Sequence, residues 1–125
     1  MADFATKTHH ALDYVELGVT DFDAAKAFYG KAFGWQFTDY GPGPAYVGIQ
    51  GAGAGGAEVG GFRREDRVST GGPFVLLYST DLAASEQAVR DAGGTVTEGP
   101  YEFPGGRRFH FQDPDGNELG VWSTD

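Results

Sequence analysis

Tyr14-Val-Glu-Leu-Gly-Val-Thr-Asp21 and, sixty positions later, Phe74-Val-Leu-Leu-Tyr-Ser-Thr-Asp81 follow one plan. Each is a β-branched and aromatic run, fit for a strand, that closes on Thr-Asp. Sliding the chain against itself by 60 positions pairs Val15 with Val75, Leu17 with Leu77, Thr20 with Thr80 and Asp21 with Asp81. It continues through Ala24/Ala84, Ala32/Ala92, Gly34/Gly94, Pro44/Pro104, Gly56/Gly116, Glu58/Glu118 and Gly60/Gly120. Those eleven identities exceed the roughly four that ordinary composition gives by chance. The chain is a duplication, and a repeat has to be found first because it decides the fold.

Asp21 and Asp81 suit the N-cap role, a carboxylate accepting from the orphan amides of a first helical turn. After Asp21, the residues Phe22, Ala25, Phe28, Tyr29, Ala32 and Phe33 make an i, i+3, i+4, i+7 stripe, and Gly34 ends it. The second helix is predicted from Asp81 to Ala92 on a thinner stripe (Leu82, Ala88, Val89, Ala92), stopping at Gly93-Gly94. Three strands are predicted after each helix, at 35–40, 45–50 and 57–62, then at 95–99, 106–112 and 117–122. Pro42, Pro44, Pro100, Pro104 and the Asp113-Pro-Asp-Gly116 turn mark the breaks between them. The expected organisation is one domain over 1–125, with a βαβββ module at 11–62, a linker at 63–72 and a second module at 73–123.

A chain of 125 residues can bury a single core. Its net charge of −9 argues against nucleic acid or an anionic membrane as partner. With no cysteine, disulfides, thiolate metal sites and cysteine nucleophiles are all excluded, which fits a cytoplasmic protein. No stretch approaches the ~18 apolar residues of a membrane span, and no apolar signal core stands at the N-terminus. Met1 to His10 reads as a polar, frayed tail that includes His9 and His10. Gly51-Ala-Gly-Ala-Gly-Gly56 lacks a Gly-Lys-Ser/Thr ending and a following helix, so it reads as a connection between strands, not a phosphate loop. Asp113-Pro-Asp-Gly-Asn117 ends too early for a calcium loop and reads as a tight turn.

Strand parity sorts the side chains into two faces. Val15, Leu17, Val19, Phe109, Phe111, Leu119 and Val121 form an apolar face for the helices to cover. Tyr14, Glu16, Phe74, Tyr78, Arg108, His110 and Trp122, joined by Tyr46, form a mixed aromatic and polar second face. Such a face on a curved sheet is a setting for a ligand cleft. The same residues also suit a subunit contact or packing between modules. His110 is the best general-base candidate by its ordinary pKa, with Glu16 next. As an alternative, each simply lines a wet wall. Arg108 can meet an anionic group, or pair with Arg107 as a solvated patch.

The stretches Val19-Thr-Asp-Phe-Asp-Ala-Ala-Lys-Ala-Phe-Tyr29 with Phe33-Gly-Trp35, Phe103-Pro-Gly-Gly-Arg-Arg-Phe-His-Phe111, and Phe109-His-Phe-Gln-Asp-Pro-Asp-Gly-Asn-Glu-Leu119 resemble the vicinal oxygen chelate superfamily. That group holds glyoxalase I, bleomycin-resistance proteins, fosfomycin-resistance enzymes and extradiol dioxygenases. The likeness covers residues 11 to 123. It implies an α+β fold, two tandem βαβββ modules forming a curved mixed sheet around a cleft with helices outside. It also implies metal ligands on the first and last strands of each module, at positions that the offset places at Tyr14, Gly60, Phe74 and Gly120. None of these carries a carboxylate or imidazole, so no metal and no other cofactor is expected. The function expected is binding of a small, partly aromatic or apolar ligand, as in drug sequestration, by a homodimer. The alternative is a lyase, isomerase or dioxygenase-type enzyme using His110 and Glu16 or displaced metal ligands.

Overall fold

The computed structural model describes residues 3–4, 9, 12, 14–42, 46–51, 57–68 and 73–124. Module one contains β2 (Val15–Val19), α1 (Phe22–Phe33), β3 (Gln36–Tyr40), β4 (Tyr46–Gln50) and β5 (Ala57–Arg64). Module two contains β6 (Val75–Tyr78), α2 (Leu82–Asp91), β7 (Thr95–Phe103), β8 (Gly106–Gln112) and β9 (Glu118–Ser123). The two caps form as the sequence requires. Asp21 accepts from the Ala24 amide and Asp81 from the Ala84 amide, each at 3.1 Å. Gly34 closes α1 in the left-handed region at φ 73°, where a side chain is strained.

Each module builds its own sheet, ordered β2-β5-β4-β3 and β6-β9-β8-β7, with the first strand parallel to the last and the remaining pairs antiparallel. The result is α+β, with the helices on one face of each sheet. Among the described residues, β2 and β6 pair only with β5 and β9, so the inner edge of each sheet is open. Both helices bury their stripes in one shared core, as the two faces predicted. Phe22, Ala25, Phe28 and Tyr29 of α1 meet Val19, Val47, Ile49 and Phe62 of module one. The same core takes in Leu82, Val89, Phe109, Phe111, Leu119 and Val121 of module two. The Phe28 and Phe33 rings reach across the module boundary to Phe111, at centroid distances of 6.2 and 5.7 Å.

A polar clasp seals the same boundary. Asp113 is buried and its Oδ1 accepts from the amides of Asp115 and Asn117. Its Oδ2 accepts from the Tyr29 hydroxyl at 2.9 Å and from Asn117 Nδ2 at 3.0 Å. Asn117 also donates to the Gly18 carbonyl, and Asp115 accepts from Thr20. The tight turn expected at Asp113 therefore doubles as the joint between modules.

Four expectations need correction. Pro100 does not end a strand: β7 runs on to Phe103. The ladder to β8 skips at Glu98/Tyr101, which accommodates a residue with no amide proton. β5 runs two residues into the expected linker, because Arg63 and Arg64 still pair with Gly18 and Val19. Within the expected N-terminal tail, Asp3–Phe4 forms a short strand (β1) parallel to Ala57 and Glu58, where the β5 edge extends past β2. Finally, the 60-residue offset slips by one. Val15 stands opposite Gly60 but Val75 opposite Leu119, because the register shifts between Ile49/Gly60 and Gln50/Glu58 and leaves Val59 as an extra residue. The readings placed on 52–56, on Pro44 and on the end of the linker fall outside the described residues. Among the described residues, no helix is long and apolar enough to cross a membrane.

Candidate functional site

Parity carries Tyr14, Glu16 and Tyr46 to the helix-free face of module one, and the register shift at Val59 brings Glu58 to the same face, where the four form one polar network. Glu58 is only 5% exposed, yet each of its oxygens accepts a phenol proton, from Tyr40 at 2.6 Å and from Tyr14 at 3.0 Å. Glu16 accepts from Tyr46 at 2.9 Å and from Arg63 at 2.7 Å, and Arg63 turns its other nitrogen to Glu65. Tyr14 and Tyr46 touch, 3.1 Å between oxygens. Glycine makes room for this arrangement. A Cβ on Gly48 would strike Glu58, and one on Gly61 would strike the Tyr46 hydroxyl. Each carboxylate already accepts from two partners, so the network is closed upon itself.

Burial and carboxylate neighbours hold these phenols neutral. Burial first, then the bonds to Tyr46 and Glu58, pushes Tyr14 far above the ordinary phenol value. Tyr46 rises mainly by burial, Tyr40 mainly by its bond to Glu58, and Tyr29 by burial and then the Asp113 charge. A raised folded-state pKa contributes stability that is complete below the unfolded value of about 10 and is lost as pH climbs past it. Stability is therefore expected to hold to about pH 10 and then fall. A tyrosinate absorbance titration should show these four ionising only as the fold is lost. Early, reversible ionisation of all six tyrosines of the chain would contradict the network.

Module two places Phe74, Tyr78, Arg108, His110 and Trp122 on its helix-free face. Phe74 lies 4.5 Å from the His110 ring, and Tyr78 packs edge-on to Trp122 at 5.0 Å. Tyr101, absent from the sequence-based set, is the hub. Arg108 Nε donates to its oxygen, and that oxygen lies 2.7 Å from His110 Nε2. One ring nitrogen of the expected general base is thus engaged by Tyr101. Tyr101 was missed because Pro100 seemed to end the strand that presents it.

Tyr14, Glu16 and Tyr46 thus come together in one cluster, and Phe74, Arg108 and His110 in another, with Tyr78 and Trp122 beside the second. Among the described residues no hydrogen bond or ring contact joins the two clusters. Two hollows among the described residues lie elsewhere. An apolar crevice of about 180 Å³ opens between the two sheets on their helix side, lined by Val15, Leu17, Ile49, Val75, Leu77 and Leu119 among others. An open depression of about 300 Å³ sits at the start of α1. Neither is lined by a residue of the two clusters.

The metal positions implied by the resemblance do not fit a cation. Gly60 faces the Val15 carbonyl and the apolar crevice; through the extra residue Val59, Gly61 takes the place expected of it. The Tyr46 hydroxyl fills the space a side chain at Gly61 would need, and the Phe74 ring fills that space at Gly120. Tyr14 is a neutral phenol with its proton engaged, and Phe74 offers no donor atom. Among the described residues, no three His, Cys, Asp or Glu side chains are grouped to hold a metal.

Comparison with known proteins accords with this architecture. The Glyoxalase/Bleomycin resistance protein/Dioxygenase superfamily profile matches residues 11–121. An integron cassette protein from the mobile metagenome of Vibrio cholerae is 24% identical with a TM-score of 0.68, over 98% of this chain and all of that one. A glyoxalase/bleomycin resistance protein/dioxygenase family enzyme from Burkholderia phytofirmans is 21% identical with a TM-score of 0.74, over 91% of this chain and 98% of that one. A glyoxalase/bleomycin resistance protein from Streptomyces sp. is 25% identical with a TM-score of 0.63, over 87% and 96%. No curated protein matches the sequence.

Proposed function

The chain belongs to the glyoxalase/bleomycin resistance protein/dioxygenase superfamily, and within it we propose a metal-free binding protein, a cytoplasmic homodimer that sequesters a small, partly aromatic ligand. The observation that carries this reading is the covering of Gly61 and Gly120 by Tyr46 and Phe74, which replaces ligand-bearing positions with ring surface. Phe74 and Tyr78 remain 39% and 55% exposed, ready to stack on a planar guest. Sequestration needs no paired acid and base. The catalytic alternative needs His110 and Glu16 to act together, and they stand in separate clusters.

The second copy supplies the missing wall. Open edges on β2 and β6, with Val15 and Leu76 exposed beside them, are surfaces a soluble chain covers. Pairing two copies there sets a module-one face opposite a module-two face and closes a cleft. Trp122, packed against Tyr78 and Phe103, reports on that cleft. Trp35 is stacked on Tyr29 at 4.6 Å and is silenced by Trp35→Phe. In this variant, at a sedimenting mass twice the 13.3 kDa of one chain, planar aromatic compounds are expected to quench emission saturably and without turnover. Tyr78→Ala should weaken that quenching severalfold. A monomer, or product formation that His110→Ala abolishes, would overturn the reading.

A further inference from the structure

The two concave faces descend from one module, yet their polar groups differ in kind. On the module-one face the phenol protons of Tyr14, Tyr40 and Tyr46 and the Arg63 guanidinium are engaged, all going to Glu16, Glu58 or Glu65. On module two Arg108 spends only Nε, on Tyr101. Among the described residues its two terminal nitrogens have no carboxylate partner. Its guanidinium carbon lies 5.2 Å from the Phe103 ring centre, 5.4 Å from Tyr101 and 5.8 Å from Phe74. Three rings and one hydrogen bond thus fix the plane of the fork and leave its paired N–H edge as the unspent donor of this face.

A planar fork of two parallel N–H groups is matched by a carboxylate, sulfonate or phosphate oxygen pair. The rings beside it, Phe74 and then Tyr78 with Trp122, extend the site as an apolar floor. We propose that the ligand of the module-two face is an aromatic organic anion, its acidic group gripped end-on by Arg108 and its ring laid over Phe74. This inference rests on the binding function proposed above and adds the chemical class of the guest. The acidic chain repels anions at long range, so the positive charge of Arg108 has to be met at contact, and selectivity resides in this one side chain. Tyr101 acts as a positioning residue that aims the fork. Glu118, at 3.8 Å, stands by the other nitrogen of His110 and leaves the fork open.

The test compares naphthalene-2-carboxylate with naphthalene-2-carboxamide by calorimetric titration of the full-length protein at low salt. The carboxylate is expected to bind at least tenfold more tightly, and 0.5 M salt should weaken it alone. Arg108→Gln should bring the carboxylate down to the carboxamide, with carboxamide affinity falling far less than carboxylate affinity. Arg108→Lys should restore only part of the preference, because a point charge replaces the fork. If Arg108→Gln fails to fold, Tyr101→Phe replaces it, with an expected severalfold loss of preference. Equal affinities for the two probes in the native protein, or a preference that survives Arg108→Gln, would overturn the anion assignment while the binding function stands. Failure of both probes to bind at millimolar concentration would overturn the binding function as well.

Discussion

Asp113→Ala is expected to lower the free energy of unfolding by about 3 kcal/mol or more, among the largest losses of any single polar substitution in this chain. The carboxylate accepts four hydrogen bonds at a buried site. Removing it strands the buried Tyr29 hydroxyl and the donors of Asn117, and each stranded buried donor costs ~1–3 kcal/mol. Urea denaturation measures the effect. Tyr29→Phe, which removes one donor and leaves the turn intact, should cost only about 1 kcal/mol. Equal losses in the two variants would mean that the bonds inside the turn add nothing beyond the Tyr29 contact.

Gly60→Ala should cost roughly 3 kcal/mol, while Gly61→Ala next to it should cost about 1 kcal/mol. A Cβ on Gly60 would collide with the Val15 carbonyl oxygen, a backbone atom of the parallel β2/β5 ladder, so the strand itself has to move. At Gly61 the collision is with the hydroxyl end of Tyr46, which can swing away at the expense of its bond to Glu16. Thermal melts of the pair discriminate between the two causes. A Gly60→Ala protein as stable as Gly61→Ala would show that β2 and β5 are not locked in this register.

Much of the fold was legible because its signals are local. Asp21, Asp81, Gly34 and the stripe of α1 act within a few residues, and alternation in β2, β6, β8 and β9 sorted the faces correctly for Val19, Phe109, Phe111 and Val121. Long-range geometry hid the rest. The extra residue Val59 shifts the ladder by one, so Gly61 takes the place the repeat assigned to Gly60. Pairing across the β7/β8 skip carries the chain past Pro100 and brings Tyr101 onto the site. The separation of Tyr14, Glu16 and Tyr46 from Phe74, Arg108 and His110 depends on how two sheets share one core, which parity within strands cannot express.

The bonds of the clasp span most of the polypeptide: Tyr29 to Asp113, Thr20 to Asp115, and Gly18 to Asn117, separations of 84, 95 and 99 residues. During synthesis the first helix therefore waits, with its tyrosine unanswered and its phenyl rings uncovered, until the final turn has been translated. Contacts so distant in sequence carry a high closure entropy and make for slow folding. The nascent amino-terminal half is left sticky until its younger twin arrives to cap it.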